Sequence, residues 1–397
     1  MSSADAAPRA ADQSGAAEGR AVVYLHIGAR KSGTTTLQSV LRASRRELRS
    51  QGVNLALNTQ DDHQSFAQPL KRLGGPQPPR PGAVEESLRL LRERLGRPAR
   101  RHLVTIEGIA EFRPEGIAAL AGALADHEVH VVLTVRPWDR VLPSEWQQVV
   151  KEHGTQSYPD FLAAVSGDHA PLFRRRHETP QIVRDWMVHV PAERIHVIAV
   201  PVSGEGLEEL FCRTVGVDPA SLQAAPASLN QSLSYPQAEL LRRVNAALPE
   251  ELHGRDEYRL AVRGWLVRRC LALLPRAGAL RLPTELATWC EAQMKRHRAE
   301  LEELGIDLVG DPDDLTPPVR SGEVSVSEAE VSAAAVALVA SMTALRWEEW
   351  QRSRHALEEA TRAASGAGGP GASEGRRRRT PATIARGIGR RLRRVVR

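Results

Sequence analysis

Lys31 is one of only four lysines among the 54 basic residues of this 397-residue chain, and it stands in a loop built for an anion. The loop is Gly28-Ala-Arg30-Lys31-Ser32-Gly33; an apolar run, 22–27, leads into it, and Thr34, Thr35 and Thr36 lead out. A glycine-rich turn between strand and helix points backbone N–H groups and the positive helix end at a phosphate. The Gly-x-x-x-x-Gly spacing is that of a phosphate-binding P-loop, but Thr34 occupies the place where a triphosphate loop has its lysine. A lysine inside the loop lies nearer the oxygen that joins a 5′-phosphate to a group being transferred. Thr34 and Thr35 then offer hydroxyls and amides to that phosphate, with no evident magnesium site. A 5′-phosphosulfate donor suits this arrangement better than a triphosphate. Less charge gathers where its bond breaks, so one lysine and a helix N-terminus can stabilise the leaving group.

With these residues the chain resembles the sulfotransferases that use 3′-phosphoadenosine 5′-phosphosulfate, PAPS. Their bacterial and glycan-modifying members often open with His-Ile-Gly-x-x-Lys-Thr-Gly-Thr-Thr-x-Leu-Gln, which here reads His26-Ile-Gly-Ala-Arg-Lys31-Ser-Gly-Thr-Thr-Thr-Leu-Gln38. The resemblance implies a second element, an arginine at a strand end followed by a serine, which together hold the 3′-phosphate. Arg136 follows the β-rich run 129–135, and Ser144 stands near the start of the next helical pattern. A guanidinium fork and a hydroxyl from those positions suit a phosphate dianion. The resemblance also implies that Asn230, in Asn230-Gln-Ser232, closes the cofactor pocket. The expected PAPS contacts are therefore Arg30, Lys31, Ser32, Gly33, Thr34, Thr35, Thr36, Arg136, Ser144 and Asn230, with PAP as product and no metal.

Transfer to a hydroxyl needs a base for the acceptor proton and a cation for the departing phosphate. Lys31 is the cation. Glu107 ends the strand at 101–106 and should project at the same rim as the loop, where relatives often show Ser-Ser-Glu; here Thr105-Ile106-Glu107 stands instead. His63, in Asp61-Asp62-His63, is the competing base, because relatives often place a histidine in the acceptor cleft. His26 reads as a packing residue, and Trp138 and Trp146 read as core rather than as adenine-stacking groups.

Strands separated by helices must position these groups. The expected fold class is α/β, a P-loop three-layer αβα core with a mostly parallel sheet, extended by C-terminal helices and a basic tail. Strands are expected at 22–27, 101–106, 129–135 and 194–200. Helices are expected at 34–50, 84–95, 138–152, 158–165 and 180–189, with another ending near 215, and no strand beyond about 235. Residues 1–20 read as a disordered leader without the apolar segment of a signal peptide. Residues 21–310 form the sulfotransferase domain, with its α/β core to about 245. A linker follows at 311–326, a long helix at 327–364 and a Gly-rich, then Arg-rich tail at 365–397.

Cys212, Cys270 and Cys290 are too few and scattered for a disulfide framework, which points to core packing and a cytoplasmic protein. No apolar run reaches a membrane span; the longest, 331–345, reads as a buried or partner-facing helix. The net charge is +6, yet residues 376–397 hold ten arginines and no acid, so the rest of the chain is acidic. Ile384, Ile388, Leu392 and Val395 recur among those arginines at helical spacing, a pattern suited to peripheral contact with an anionic membrane face, to nonspecific contact with nucleic acid or to a solvated tail, with no specific nucleic acid implied. The acceptor is a small molecule, lipid or carbohydrate bearing a hydroxyl or amine. Two other readings stay open: a P-loop kinase or nucleotide-binding protein, and a membrane-tethered protein that binds PAP(S) without turnover.

Overall fold

The computed structural model describes residues 20–59, 62–202, 206–224, 232–275 and 280–366; Asn230, most of the leader and the arginine-rich tail lie outside them. From β1 (Val22–His26) the chain runs through α1 (Thr34–Ala43), α2 (Arg45–Ser50), β2 (Val53–Leu57), α3 (Gln68–Arg72), α4 (Ala83–Leu95), β3 (Arg101–Thr105) and α5 (Pro114–Ala123). It continues through β4 (Glu128–Val135), α6 (Trp138–Lys151), α7 (Tyr158–Ser166), α8 (Pro171–His177), α9 (Thr179–Met187), β5 (Ile195–Ala199) and α10 (Leu207–Val215). The remainder carries α11 (Tyr235–Ala247), α12 (Arg255–Tyr258), a π-helical stretch Arg259–Cys270, β6 (Leu282–Pro283), α13 (Ala287–Glu303), β7 (Asp307–Val309), β8 (Ser321–Gly322) and α14 (Glu328–Gly366).

Six strands form one sheet in the order β2-β3-β1-β4-β5-β7, and every pairing is parallel. Alternation along the strands splits their side chains between two apolar layers. Val23, Leu25, Val104, Val131 and Leu133 pack under α3, α4, α5 and α9, whereas Leu103, Val132 and Ile198 pack under α1, α2 and α10. Each fully buried leucine of this set contributes about 2 kcal/mol. The result is the expected α/β architecture. A second, helical core gathers α6, α7, α11 and α13 around the buried Trp138, Trp146 and Tyr158. Both tryptophans are therefore packing residues, and the three cysteines are buried free thiols.

The structure departs from the sequence expectations in several elements, and β2 is not among the expected strands. The helix expected over 34–50 breaks at Ser44, whose buried hydroxyl accepts the Gln223 N–H at 2.8 Å. A strand lies beyond residue 235 after all, because β7 pairs with β5 and completes the sheet. Residues 311–326 pack closely: Asp314 accepts the Val202 N–H at 2.9 Å, Arg320 donates its N–H to Asp139 at 2.9 Å, and Val319 and Val324 lie on the helical core. Residues 331–345, read as a buried or partner-facing helix, are buried on one side only, as a partner-facing helix would be; Val331 and Leu338 are 4% and 6% exposed, but Val336 and Val339 are 71% and 61% exposed.

From β1 the chain departs to β2 and β3 on one side, while β4 and β5 lie on the other. Ligands of open parallel sheets bind at such a reversal, outside the carboxyl ends of the strands. The ends of β1, β3 and β4 meet there.

Candidate active site

The turn after β1 is held by a directional chain of hydrogen bonds. Thr105 Oγ1 lies 2.8 Å from His26 Nδ1, and His26 Nε2 lies 3.2 Å from Thr134 Oγ1. Thr134 Oγ1 lies 2.8 Å from Ser32 Oγ, which donates to the Ala29 carbonyl at 2.6 Å. Every group is satisfied when His26 is neutral with its proton on Nε2, each member donating to the next. Burial lowers the His26 pKa to about 3, which secures that form. His26 is thus a scaffold, and the Ser32 hydroxyl is spent inside the loop. The amides of Ile27 and Ala29 donate to Val132 and Thr134 carbonyls at 3.0 Å, so β4 carries the loop. A Cβ on Gly28 would lie 2.6 Å from Thr34 Cγ2 and 3.0 Å from His26 Nε2, which reserves that position for glycine.

Lys31 and Gly33 both have left-handed backbones, with φ of 67° and 81°. For a lysine this conformation costs about 1 kcal/mol, offset by what it positions. Lys31 Nζ reaches α6 and donates to Gln148 Oε1 at 2.8 Å. Burial lowers its pKa, while the Glu145 carboxylate opposes that shift. Arg30 points the same way, to Glu152 Oε1 at 3.2 Å and Glu111 Oε1 at 3.9 Å. α1 then starts without a side-chain cap, so its positive end is left for a ligand.

Both candidate bases meet at the end of β3. Glu107 opens a 3-10 turn, Glu107–Glu111, and accepts a hydrogen bond from the Thr34 hydroxyl. Burial raises its pKa, and the Arg30 and Lys31 charges only partly counter this. His63 opens the π-helical turn His63–Ala67, and burial lowers its pKa against the Asp62 charge and a hydrogen bond to the Thr105 backbone. Gln38 fastens α1 to the same strand end through Thr105 O at 3.2 Å.

Arg136 follows β4, half-buried, with Nη1 3.5 Å from the Lys31 carbonyl. Burial lowers its pKa first, and the Arg140 guanidinium lowers it further. Burial and Arg320 do the same to Arg140, whose buried Nε has no hydrogen-bond partner. Arg136, Arg140 and Arg320 thus approach one another, with the Asp139 and Asp314 carboxylates beside them and the Arg140 Nε donor unmatched, a grouping able to take an anion. Along α6, Arg140, half-buried Ser144 and Gln148 recur every fourth residue, one row on the helix.

Contacts thus join Lys31 to Gln148 and Arg136, Arg30 to Glu152 and Glu111, Thr34 to Glu107, and His63 to the end of β3; Ser144 stands one turn from Gln148 on α6, and Thr35 and Thr36 are exposed in the first turn of α1. Asn230 lies outside the described residues. Sequence reasoning missed Gln148, Arg140 and Arg320. The fourfold spacing from Ser144 could have found the first two; Arg320 arrives from 176 positions beyond Ser144, and nothing local marks it. Among the described residues no cluster of three His, Cys, Asp or Glu side chains could hold a metal ion.

No family model matches this chain, and no curated protein does. Among solved structures it is similar to a sulfotransferase from Alicyclobacillus acidocaldarius, at 16% identity and a TM-score of 0.38, over 73% of this chain and 96% of that one. So loose a likeness carries no weight for the site, whose chemistry rests on the geometry above.

Proposed function

We propose that the protein transfers a sulfuryl group from PAPS to a hydroxyl or amine of a small-molecule, lipid or carbohydrate acceptor. The observation that carries this reading is the position of Lys31. Its ammonium reaches from the loop to Gln148 on α6, close to the uncapped start of α1 and to a carboxyl group of raised pKa. A triphosphate loop puts its lysine after the second glycine and pairs it with a magnesium-binding hydroxyl. Here Thr34 takes that position and its hydroxyl engages Glu107.

When bound, PAPS supplies the activated sulfuryl group. Glu107, as carboxylate, takes the acceptor proton; its raised pKa makes it a stronger base than an exposed glutamate. The acceptor oxygen or nitrogen then forms the new bond to sulfur as the sulfur–oxygen bond to the 5′-phosphate breaks. Lys31 and the first amides of α1 stabilise the charge left on that phosphate, and PAP departs. Arg136, Arg140 and Arg320, with Ser144, suit the 3′-phosphate, and the unmatched Arg140 Nε is the donor that a phosphate oxygen would satisfy. His63 supports the acceptor side of the site from the π-helical turn.

The reading is tested by following PAP release from PAPS across a panel of phenolic, sugar and amine acceptors with a chelator present. Acceptor-dependent PAP formation without divalent metal is expected. Magnesium-dependent turnover of ATP, with none of PAPS, would move the protein to phosphoryl transfer.

A further inference from the structure

We propose that the outward face of α14 is a docking surface for an anionic lipid bilayer. This stands independently of the sulfuryl-transfer reading. Val336, Val339, Thr343, Trp347 and Trp350 follow one another at helical spacing and share one side of α14. Val336 is 71% exposed, Val339 61% and Trp347 55%. Trp347 and Trp350 stack at 4.9 Å, and the Arg354 guanidinium covers the Trp350 ring at 5.1 Å. No charge interrupts residues 331–345, and an 18-residue window of the helix reaches a mean hydropathy of 1.4. A contiguous apolar stripe left in water marks an interaction surface rather than ordinary exposure.

The opposite side of α14 decides how it meets a membrane. Val331 and Leu338 are buried in the helical core, and Arg243 on α11 donates to both carboxylate oxygens of Glu328 at 2.7 Å. Arg269 reaches Glu349 at 3.8 Å. A helix fastened to the body along one side does not cross a bilayer; it lies in the headgroup layer with its free side down. Tryptophans suit that depth, since their rings are apolar and their N–H groups polar.

Charge selects the occupant. The sequence after α14 carries ten arginines and no acid in residues 376–397, a strongly cationic composition. Anionic headgroups attract such a segment, and each arginine adds to the attraction.

The test is co-sedimentation of the full-length protein with phosphatidylcholine vesicles and with phosphatidylcholine/phosphatidylglycerol vesicles. Binding to the mixed vesicles alone, weakened by salt, is expected. The double variant Val336→Glu, Val339→Glu should lower partitioning at least about tenfold, since two apolar side chains lose burial and gain charge. Both positions are exposed, so an unchanged circular dichroism spectrum is expected alongside. Replacing Arg376, Arg377, Arg378 and Arg379 by glutamine should weaken binding and flatten its salt dependence. Absent binding, equal binding to both vesicles, or full binding by the valine variant would overturn the proposal. A concentration-dependent dimer in light scattering that the valine variant abolishes would assign the face to a second copy.

Discussion

Replacing Arg140 by glutamine should weaken PAP binding while leaving the ligand-free protein at least as stable. The reasoning starts from the sign of its pKa shift. Burial and the Arg320 charge lower the Arg140 pKa in the folded protein, with Asp139 and Asp314 opposing. A basic group whose folded pKa is lowered destabilises the fold in its charged form, so removing that charge relieves the fold. No hydrogen bond is lost at Nε, which has none. In the complex the balance inverts, because a charged hydrogen bond to phosphate contributes roughly 1.5–3 kcal/mol. At about 1.4 kcal/mol per factor of ten, PAP affinity should fall roughly ten- to a hundredfold. The 5′-monophosphate AMP, which lacks the 3′-phosphate, should bind equally well to both proteins. Calorimetric titration with PAP and AMP gives the affinities, and thermal unfolding of the empty protein gives the stability. An unchanged PAP affinity, or parallel losses for PAP and AMP, would leave Arg140 without its assigned role. A lower Tm would contradict the argument from repulsion.

The other expectations concern the loop and its neighbours. Lys31→Ala should lower kcat by several orders of magnitude, about the scale of a lost electrostatic anchor in an active site, while PAP affinity falls less; unchanged turnover would remove Lys31 from the chemistry. Because burial raises the Glu107 pKa and the carboxylate is the active form, kcat/KM should fall as pH drops through a value above the ordinary glutamate range. Glu107→Gln should abolish that limb and cost about 10²–10⁴ in kcat; a limb that survives the substitution would transfer the base role to His63. Gly28→Ala forces a Cβ to within 2.6 Å of Thr34 Cγ2 and should destabilise the fold by about 1–3 kcal/mol, read as a lower Tm, unless the loop shifts and loses PAP affinity instead.

The core and half of the site were readable from local pattern. β1, the loop and α1 announce themselves because an apolar run, two glycines and three threonines all specify one local geometry. Strand-end positions such as Glu107 and Arg136 follow once the strands are placed. β2 escaped because Val53-Asn-Leu-Ala-Leu57 is short and wholly buried, a pattern shared with helix ends; only left-handed Gly52 before it marks the change. β7 is three residues long and starts with Asp307, so its pairing with β5 is a tertiary event, although Gly305 and Gly310 bracket it. Arg320 was invisible for a different reason. Its place beside Arg140 depends on residues 311–326 folding back over the sheet, which no periodicity encodes. The break at Ser44 likewise depends on Gln223, far along the chain.

The site is put most directly to the test by calorimetric titration of the purified protein with PAP, AMP and Mg·ATP. Tight PAP binding that is indifferent to metal and falls sharply for AMP is the expected outcome, since only PAP offers a 3′-phosphate to Arg136 and Arg140. Binding of Mg·ATP with no preference for PAP would overturn the assignment of the loop and of the arginine cluster together.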